Sequence, residues 1–181
     1  YGFRPKHNTS HSLMHFLDKI YSSLNSPQPE YSSAVFLDLK KAFDCVNINI
    51  LLKKLNHYGF RGMSQSWFYN YLNGRTQFVN VNGKNSSLKD ILCGVPQGSV
   101  LGPILFLLYI NDLPNATNFF SSLFADDTFF LKSSPNLDTL MNETNDELEK
   151  ASRWFIANKL TLNVSKTKFM VLRDKKKNIL M

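Results

Sequence analysis

The chain has 181 residues, is 43% hydrophobic and carries a formal net charge of +7. This composition excludes wholesale disorder and suits one domain of roughly 100–200 residues. Its sequence pI of about 9.4 passes the rough threshold of about 9 that makes nucleic acid a candidate partner, although charge does not report fold. The longest apolar run, "PILFLLYI", is shorter than the roughly 20 residues that a membrane span needs, so no membrane partner is expected.

Helical and strand periods alternate irregularly along the chain, with hairpins between them, which favours an α+β fold over a doubly wound sheet. In the first part of the chain, the patterns predict a helix over 10–24, a buried strand over 33–40 and helices over 48–58 and 64–72. A hairpin around Asn82-Gly83 is predicted over 76–92, followed by a loop over 94–103 that enters a helix near Pro103. The last part is predicted to form a hairpin over 119–131, a helix over 137–157 and a strand over 166–172.

Two adjacent aspartates, Asp126 and Asp127, stand between apolar arms in "SLFADDTFFLK". Turn chemistry alone can account for Asp at a hairpin tip. Two carboxylates emerging together from a packed sheet repel each other, however, and Mg²⁺ would relieve that repulsion. Asp38 lies near the end of another apolar strand. If that strand lies beside the hairpin, three carboxylates could hold two cations for in-line phosphoryl displacement.

Four segments stand in one order at sensible spacing: "AVFLDLKKAFDCVN", "GVPQGSVLGPILFLLYINDL", "FADD" and "LTLNVSKTKFMVL". Together with "YGFRP" at the start, they resemble the reverse transcriptases of non-LTR retrotransposons, the long interspersed elements of animal genomes, including the Jockey-like branch. The resemblance covers nearly the whole chain. It implies a right-hand polymerase palm, an antiparallel sheet with helices packed on one face, plus part of the fingers.

The resemblance also implies an RNA-directed DNA polymerase, a nucleotidyltransferase that copies retrotransposon RNA into DNA. Asp38 and Asp126 would bind both catalytic Mg²⁺ ions, with Mn²⁺ as an alternative, and Asp127 would support them at the edge of the site. Lys166 would protonate the pyrophosphate leaving group. A solvated lysine without that role is an equally good interpretation of Lys166.

Four residues would bind the incoming nucleotide: Leu39, Phe43, Gln97 and Gly98. Of these, Gln97 and Gly98 would contact either the incoming nucleotide or the template base. Phe43 would stack under the sugar and exclude a 2′-hydroxyl, the group that separates ribonucleotides from deoxynucleotides. Glycine at position 98 would let the backbone approach a ligand closely, although a plain strand-to-helix turn also explains a Gly/Pro loop.

Phe124 and Ala125 would line the primer end, and Phe124 could equally be ordinary core. Arg4 could pair with a phosphate or brace the fingers internally, and we favour the internal role. An aromatic cluster could stack bases, but its helical spacing is more often that of a core face; it comprises Trp67, Phe68, Tyr69 and Tyr71.

The implied partners are an RNA template, a DNA primer and deoxynucleoside triphosphates. We interpret residues 1–181 as a reverse transcriptase fragment with partial fingers and palm, whose N-terminal fingers strands and thumb are absent and which is inactive in isolation. An endonuclease and the thumb would belong to the rest of the parent polypeptide. The resemblance places the protein inside the cell, acting in the nucleus.

Two alternatives stay open. An RNA-dependent RNA polymerase would share the palm, but Phe43 argues against it. A decayed or domesticated element would act only as a nucleic-acid-binding module, and the intact Asp38, Asp126 and Asp127 argue against decay.

Overall fold

The computed structural model describes residue 6, residues 8–26 and residues 30–173. The described residues form α-helices and short to medium strands, with one 3₁₀ helix at Leu113–Ala116. The α-helices are α1 (Thr9–Leu24), α2 (Ile48–His57), α3 (Met63–Leu72), α4 (Leu101–Ile110) and α5 (Leu137–Ala157). The strands are β1 (Tyr31–Leu37), β2 (Thr76–Gln77), β3 (Asn80–Val81), β4 (Lys84–Asn85), β5 (Lys89–Asp90), β6 (Phe120–Phe124), β7 (Asp127–Ser134) and β8 (Lys168–Leu172).

The chain divides into two compact units. The first unit runs up to Lys40 and resumes at Asp112, and the second comprises residues 41–111. The first unit contains an antiparallel sheet with the strand order β6-β7-β1-β8. The interior strand β1 therefore pairs with strands that follow it by about 90 residues or more.

Helices of the first unit cover both faces of this sheet. Neighbouring residues of a strand point to opposite faces. The Ser33 hydroxyl lies 2.8 Å from the Thr144 hydroxyl of α5, whereas the Phe36 ring, which points to the other face, lies 5.6 Å from the ring of Phe16 in α1. The α+β class and the antiparallel sheet are as predicted, but the helices are not confined to one face. The reason is that β1 is buried on both sides.

Helix α1 begins where predicted, because the Asn8 side chain accepts a hydrogen bond from the backbone N–H of His11 at 2.9 Å. Only part of its predicted apolar stripe is covered. Phe16 and Ile20 are buried against the sheet, whereas Leu13 and Tyr21 stay more than half exposed.

Helix α5 follows its sequence prediction from its first residue to its last. The Asn136 side chain accepts from the backbone N–H of Thr139 and caps the helix. Its buried residues recur every three or four positions: Leu140, Thr144, Glu147, Ala151 and Phe155. This spacing is that of one helical face.

In the second unit, α2 packs against α3 and against the apolar helix α4. The predicted hairpin over residues 76–92 consists of two short ladders, β2 with β5 and β3 with β4. Asn82 and Gly83 both have positive φ between β3 and β4, as a type I′ turn requires. No helix in the described part of the chain is both long and apolar enough to cross a membrane.

Candidate active site

The first unit brings the predicted acidic residues to one end of its sheet. β1 and β7 run antiparallel, and their last registered pair is Leu37 with Thr128. One further step in the same register places Asp38 opposite Asp127. The strand that leads into Asp38 therefore lies beside the acidic hairpin. From the sequence, this arrangement had to be assumed in order to bring the three carboxylates together.

Asp126 lies in the two-residue loop between β6 and β7, since Phe124 pairs with Asp127. Ala125, the other loop residue, has φ of +55°. This left-handed conformation is uncommon for a residue with a Cβ and costs of order 1–3 kcal/mol. A hairpin with a positive φ at its first loop residue matches the right-handed twist of its strands. The tight turn thus fixes where the Asp126 carboxylate leaves the sheet.

The surroundings of Asp127 raise the pKa of its carboxyl. Partial withdrawal from water is the largest cause, although the side chain is exposed, and the negative charges of Asp126 and then Asp38 add to it. No lysine or arginine in the described part of the chain offsets these effects. The three carboxylates therefore form a concentration of negative charge that would favour a bound cation.

Asn163 is a site residue that the sequence reasoning missed. Its Nδ2 donates to Asp38 Oδ2 at 2.7 Å, and its backbone N–H donates to the Asp38 carbonyl at 2.8 Å. Its own Oδ1 accepts from the Ser165 hydroxyl at 2.8 Å. Asp38 is thus held on one side by Asn163 and faces Asp127 on the other. The only available signal was the position of Asn163 within the quoted "LTLNVSKTKFMVL".

The donor set fits Mg²⁺ in its chemistry. Among residues 6, 8–26 and 30–173, no group of three or more His, Cys, Asp and Glu side chains is arranged to hold a metal ion. Mg²⁺ does not need such a cage, because it keeps waters and commonly uses one or two carboxylates together with substrate phosphates. Asp38 and Asp126 carry carboxylate oxygens of this kind and could hold the ion.

The remaining predicted residues of the first unit have different environments. Leu39 is buried and bridges to Leu162, so only its backbone could meet a nucleotide. Lys166 is exposed, and its backbone N–H donates to the Asn163 carbonyl at 3.0 Å. Phe124 is half-buried and Ala125 is buried. Arg4 lies outside the described residues.

Phe43, Gln97 and Gly98 belong to the second unit. The Phe43 ring stacks on the buried Phe106 of α4, with centroids 4.6 Å apart. Gln97 donates from Nε2 to Asp44 Oδ1 at 2.8 Å, and Gly98 is exposed with φ of +81°.

Two glycines allow close approach of the backbone around these residues. Gly94 has φ of +96°, and a Cβ there would lie 3.0 Å from the Asp44 backbone. A Cβ at Gly102 would lie 2.6 Å from the Pro96 carbonyl oxygen. Larger residues at these positions would displace the segments that carry Phe43 and Gln97.

The aromatic cluster is not a core face as its spacing suggested. Trp67 and Tyr69 are 51% and 55% exposed. Phe68 is half-buried and packs edge-on against Phe60. The helix that bears them, α3, buries only Leu72.

Solved structures share this fold. Apo telomerase from Candida tropicalis, truncated from its C-terminal domain, superposes with a TM-score of 0.66 at 18% identity, over 95% of this chain and 37% of that one. Telomerase from Candida albicans in complex with a TWJ fragment of telomeric RNA gives a TM-score of 0.65 at 15% identity, over 95% and 32% of the two chains. The fold is therefore that of a right-hand polymerase palm with part of the fingers.

Comparison with related sequences identifies the family to which this polymerase-like fold belongs. The family model "Reverse transcriptase (RNA-dependent DNA polymerase)" matches residues 1–180, and the chain belongs to this family. The RNA-directed DNA polymerase from mobile element jockey of Drosophila melanogaster is 32% identical over 85% of the chain. Its counterpart in Drosophila funebris is 30% identical over 92%. The chain spans only 17% and 19% of the lengths of these two relatives.

Proposed function

We propose that this chain is the catalytic segment of an RNA-directed DNA polymerase that copies the RNA of a non-LTR retrotransposon. The observation that carries the proposal is the convergence of Asp38, Asp126 and Asp127 at one end of a sheet. Family membership supports the same reaction. The substrates would be an RNA template, a DNA primer and deoxynucleoside triphosphates, and copying into a genome would take place in the nucleus.

Asp38 and Asp126 would hold Mg²⁺, with Mn²⁺ as a substitute, and Asp127 would stand at the edge of the site. When bound, the ions would supply charge neutralisation for the triphosphate and would acidify the primer hydroxyl. Asn163 orients the Asp38 carboxylate through its Nδ2. Lys166, on the turn that follows Asn163, would donate a proton to the leaving pyrophosphate oxygen.

The remaining residues would bind and select the substrates. Phe43 would exclude a 2′-hydroxyl, and Gln97 and Gly98 would contact the incoming nucleotide or the template base. Phe124 and Ala125 would border the primer end. Further segments of the parent polypeptide would contribute the thumb and an endonuclease.

The proposal predicts that Asp126→Asn or Asp38→Asn in the parent polypeptide abolishes primer extension on an RNA template. We expect a fall of about a thousandfold, which corresponds to the loss of about 4 kcal/mol of transition-state stabilisation. Asp146→Asn, which changes an exposed carboxylate of α5, is the matched control and should extend normally. Near-normal extension by either active-site variant would refute the assignment.

The same experiment addresses a non-catalytic role. If the unaltered polypeptide binds template and primer but never extends, and if the aspartate substitutions leave binding unchanged, a nucleic-acid-binding module is the better description. If primer extension occurs and is lost when the aspartates are substituted, a purely nucleic-acid-binding role is excluded.

A further inference from the structure

Helix α3 presents an aromatic surface that the proposed reaction does not use. Of its residues, only Leu72 is buried, and Met63, Trp67 and Tyr69 are exposed. Large aromatic side chains usually contribute to stability by being buried. Burial does not account for Trp67 and Tyr69 on this helix, and contact with a ligand becomes the alternative.

One face of α3 carries an ordered stack. Trp67 and Tyr71 are four residues apart, one above the other on the helix. Their rings lie 5.1 Å apart and 8° from parallel. The Arg75 guanidinium lies over the Tyr71 ring, 5.7 Å from its centroid. We refer to these residues as the Trp67–Tyr71–Arg75 ladder.

The charge around the ladder favours a polyanion. Residues 45–89 contain six Lys and Arg and no Asp or Glu. Arg75 also lines a groove of about 820 Å³ in the same unit, whose charged lining residues are Arg75, Lys41, Asp44 and Asp90. The groove itself is balanced in charge, so the excess of positive charge belongs to the segment that bears the ladder. Flat π-faces beside positive charge are the combination that proteins use to bind single-stranded nucleic acid.

We propose that the Trp67–Tyr71–Arg75 ladder binds an unpaired stretch of nucleic acid, with a base stacked on Trp67 and phosphates close to Arg75. An unpaired strand is required because the bases of a duplex already stack on one another and hide their faces. The identification of this strand as the RNA template rests on the proposed function. An apolar protein segment would not benefit from the excess of positive charge.

The two tryptophans of the chain allow the contact to be observed directly. Trp154→Phe leaves Trp67 as the only indole. An oligouridine of about 12 nucleotides, within the usual site sizes of roughly 4–16, should then quench the emission of Trp67. The same oligonucleotide annealed to its complement should quench it much less, because its bases are paired.

Affinity should depend on one face of the helix. With a labelled oligouridine and fluorescence anisotropy, Trp67→Leu should raise the dissociation constant about tenfold or more, from the loss of one stacking contact. Tyr71→Leu should raise it as well, because it removes the ring that supports Trp67. Tyr69→Leu is the matched control, since Tyr69 is as exposed as Trp67 but lies about 200° around the helix. It should leave the dissociation constant unchanged.

The inference fails if oligouridine leaves the emission of Trp67 unaltered, if the duplex quenches it equally, or if Tyr69→Leu weakens binding as much as Trp67→Leu. Its failure is distinguishable from failure of the proposed function. Asp126→Asn should stop extension by the parent polypeptide, whereas the same substitution in this chain should leave the quenching of Trp67 unchanged. Loss of quenching with intact extension would refute the ladder alone.

Discussion

Asp38 is held by hydrogen bonds that reach it from a distant part of the chain. Asn163 contacts both its backbone carbonyl and its carboxylate. The hydrogen bond to Oδ2 leaves the other carboxylate oxygen available and limits rotation of the side chain. A ligand oriented by a neighbour of this kind binds metal more tightly than a freely rotating one. Asn163 is therefore a positioning residue in the proposed site.

Asn163→Ala is expected to raise the Mg²⁺ concentration required for half-maximal extension about tenfold or more, since outer partners of metal ligands typically contribute 10–100-fold. Calorimetric titration of the parent polypeptide with Mn²⁺, with primer, template and a non-hydrolysable triphosphate present, should show the same weakening. Asn142→Ala removes an exposed asparagine of α5 and should change neither value. An unaltered metal affinity in Asn163→Ala would assign Asn163 to the fold alone.

Phe43 is the side chain that the proposed function assigns to discrimination between the two sugars, and packing makes it rigid. Its ring rests on the fully buried Phe106 at 4.6 Å. Phe43→Val should raise the relative kcat/KM for ribonucleotides at least about tenfold, which corresponds to about 1.4 kcal/mol. Phe43→Tyr keeps the ring and should keep the discrimination. If the ratio for the two sugars is the same in Phe43→Val and the unaltered protein, Phe43 is a core residue only.

At the scale of elements, α5 is attached to the segment that enters β6 by one buried carboxylate. The Glu147 carboxylate accepts three hydrogen bonds. Two come from Asn118, from its backbone N–H at 2.6 Å and its side-chain Nδ2 at 3.1 Å, and the third comes from Lys150 Nζ at 2.7 Å. Burial by itself would raise the pKa of Glu147, but the hydrogen bonds from Lys150 and Asn118, together with the charge of Lys150, hold that pKa below its ordinary value.

A carboxyl group whose pKa is lower in the folded state stabilises the fold above its unfolded pKa, which is about 4.3 for Glu. That contribution is lost as the pH falls through the folded pKa. The difference in free energy of unfolding between the unaltered chain and Glu147→Gln should thus be largest near neutrality and shrink below about pH 4. Urea unfolding across this range measures it.

Glu149→Gln provides the control, because Glu149 is exposed and pairs with Arg153 on the same helix. Exposed pairs contribute little, so this variant should follow the unaltered chain at every pH. A gap between Glu147→Gln and the unaltered chain that does not vary with pH would mean that the charge of Glu147 is not what stabilises the contact.

For the whole molecule, the positive charge is unevenly distributed. Residues 41–111 contain seven Lys and Arg but only two Asp and no Glu. This segment therefore carries most of the formal net charge of +7. Binding to a template and primer should release counterions, so that log K falls with log salt by roughly 0.7–0.9 per phosphate neutralised. Titrations with one oligonucleotide at several salt concentrations give this slope. Affinity that is independent of salt would contradict binding through phosphates.

The sequence alone determined the elements that local signals specify. The bounds of α5 follow from an Asn cap and an apolar spacing of three and four residues, and the turn at Asn82-Gly83 follows from two residues that tolerate positive φ. Both are encoded by neighbours in the chain. The order of the motifs likewise identified the family, and it predicted that Asp38, Asp126 and Asp127 form the site.

Tertiary structure decided the features that depend on which distant segments meet. Asn163 lies 125 residues from Asp38. No local pattern specifies that hydrogen bond, because it depends on the pairing of two distant segments beside the Leu39–Leu162 bridge. The apolar stripe of α1 did not specify which of its side chains the sheet would cover, nor did the spacing of the aromatic residues of α3 specify that Trp67 and Tyr69 would remain exposed. Periodicity defines a face of a helix, whereas burial depends on what the rest of the chain places against it.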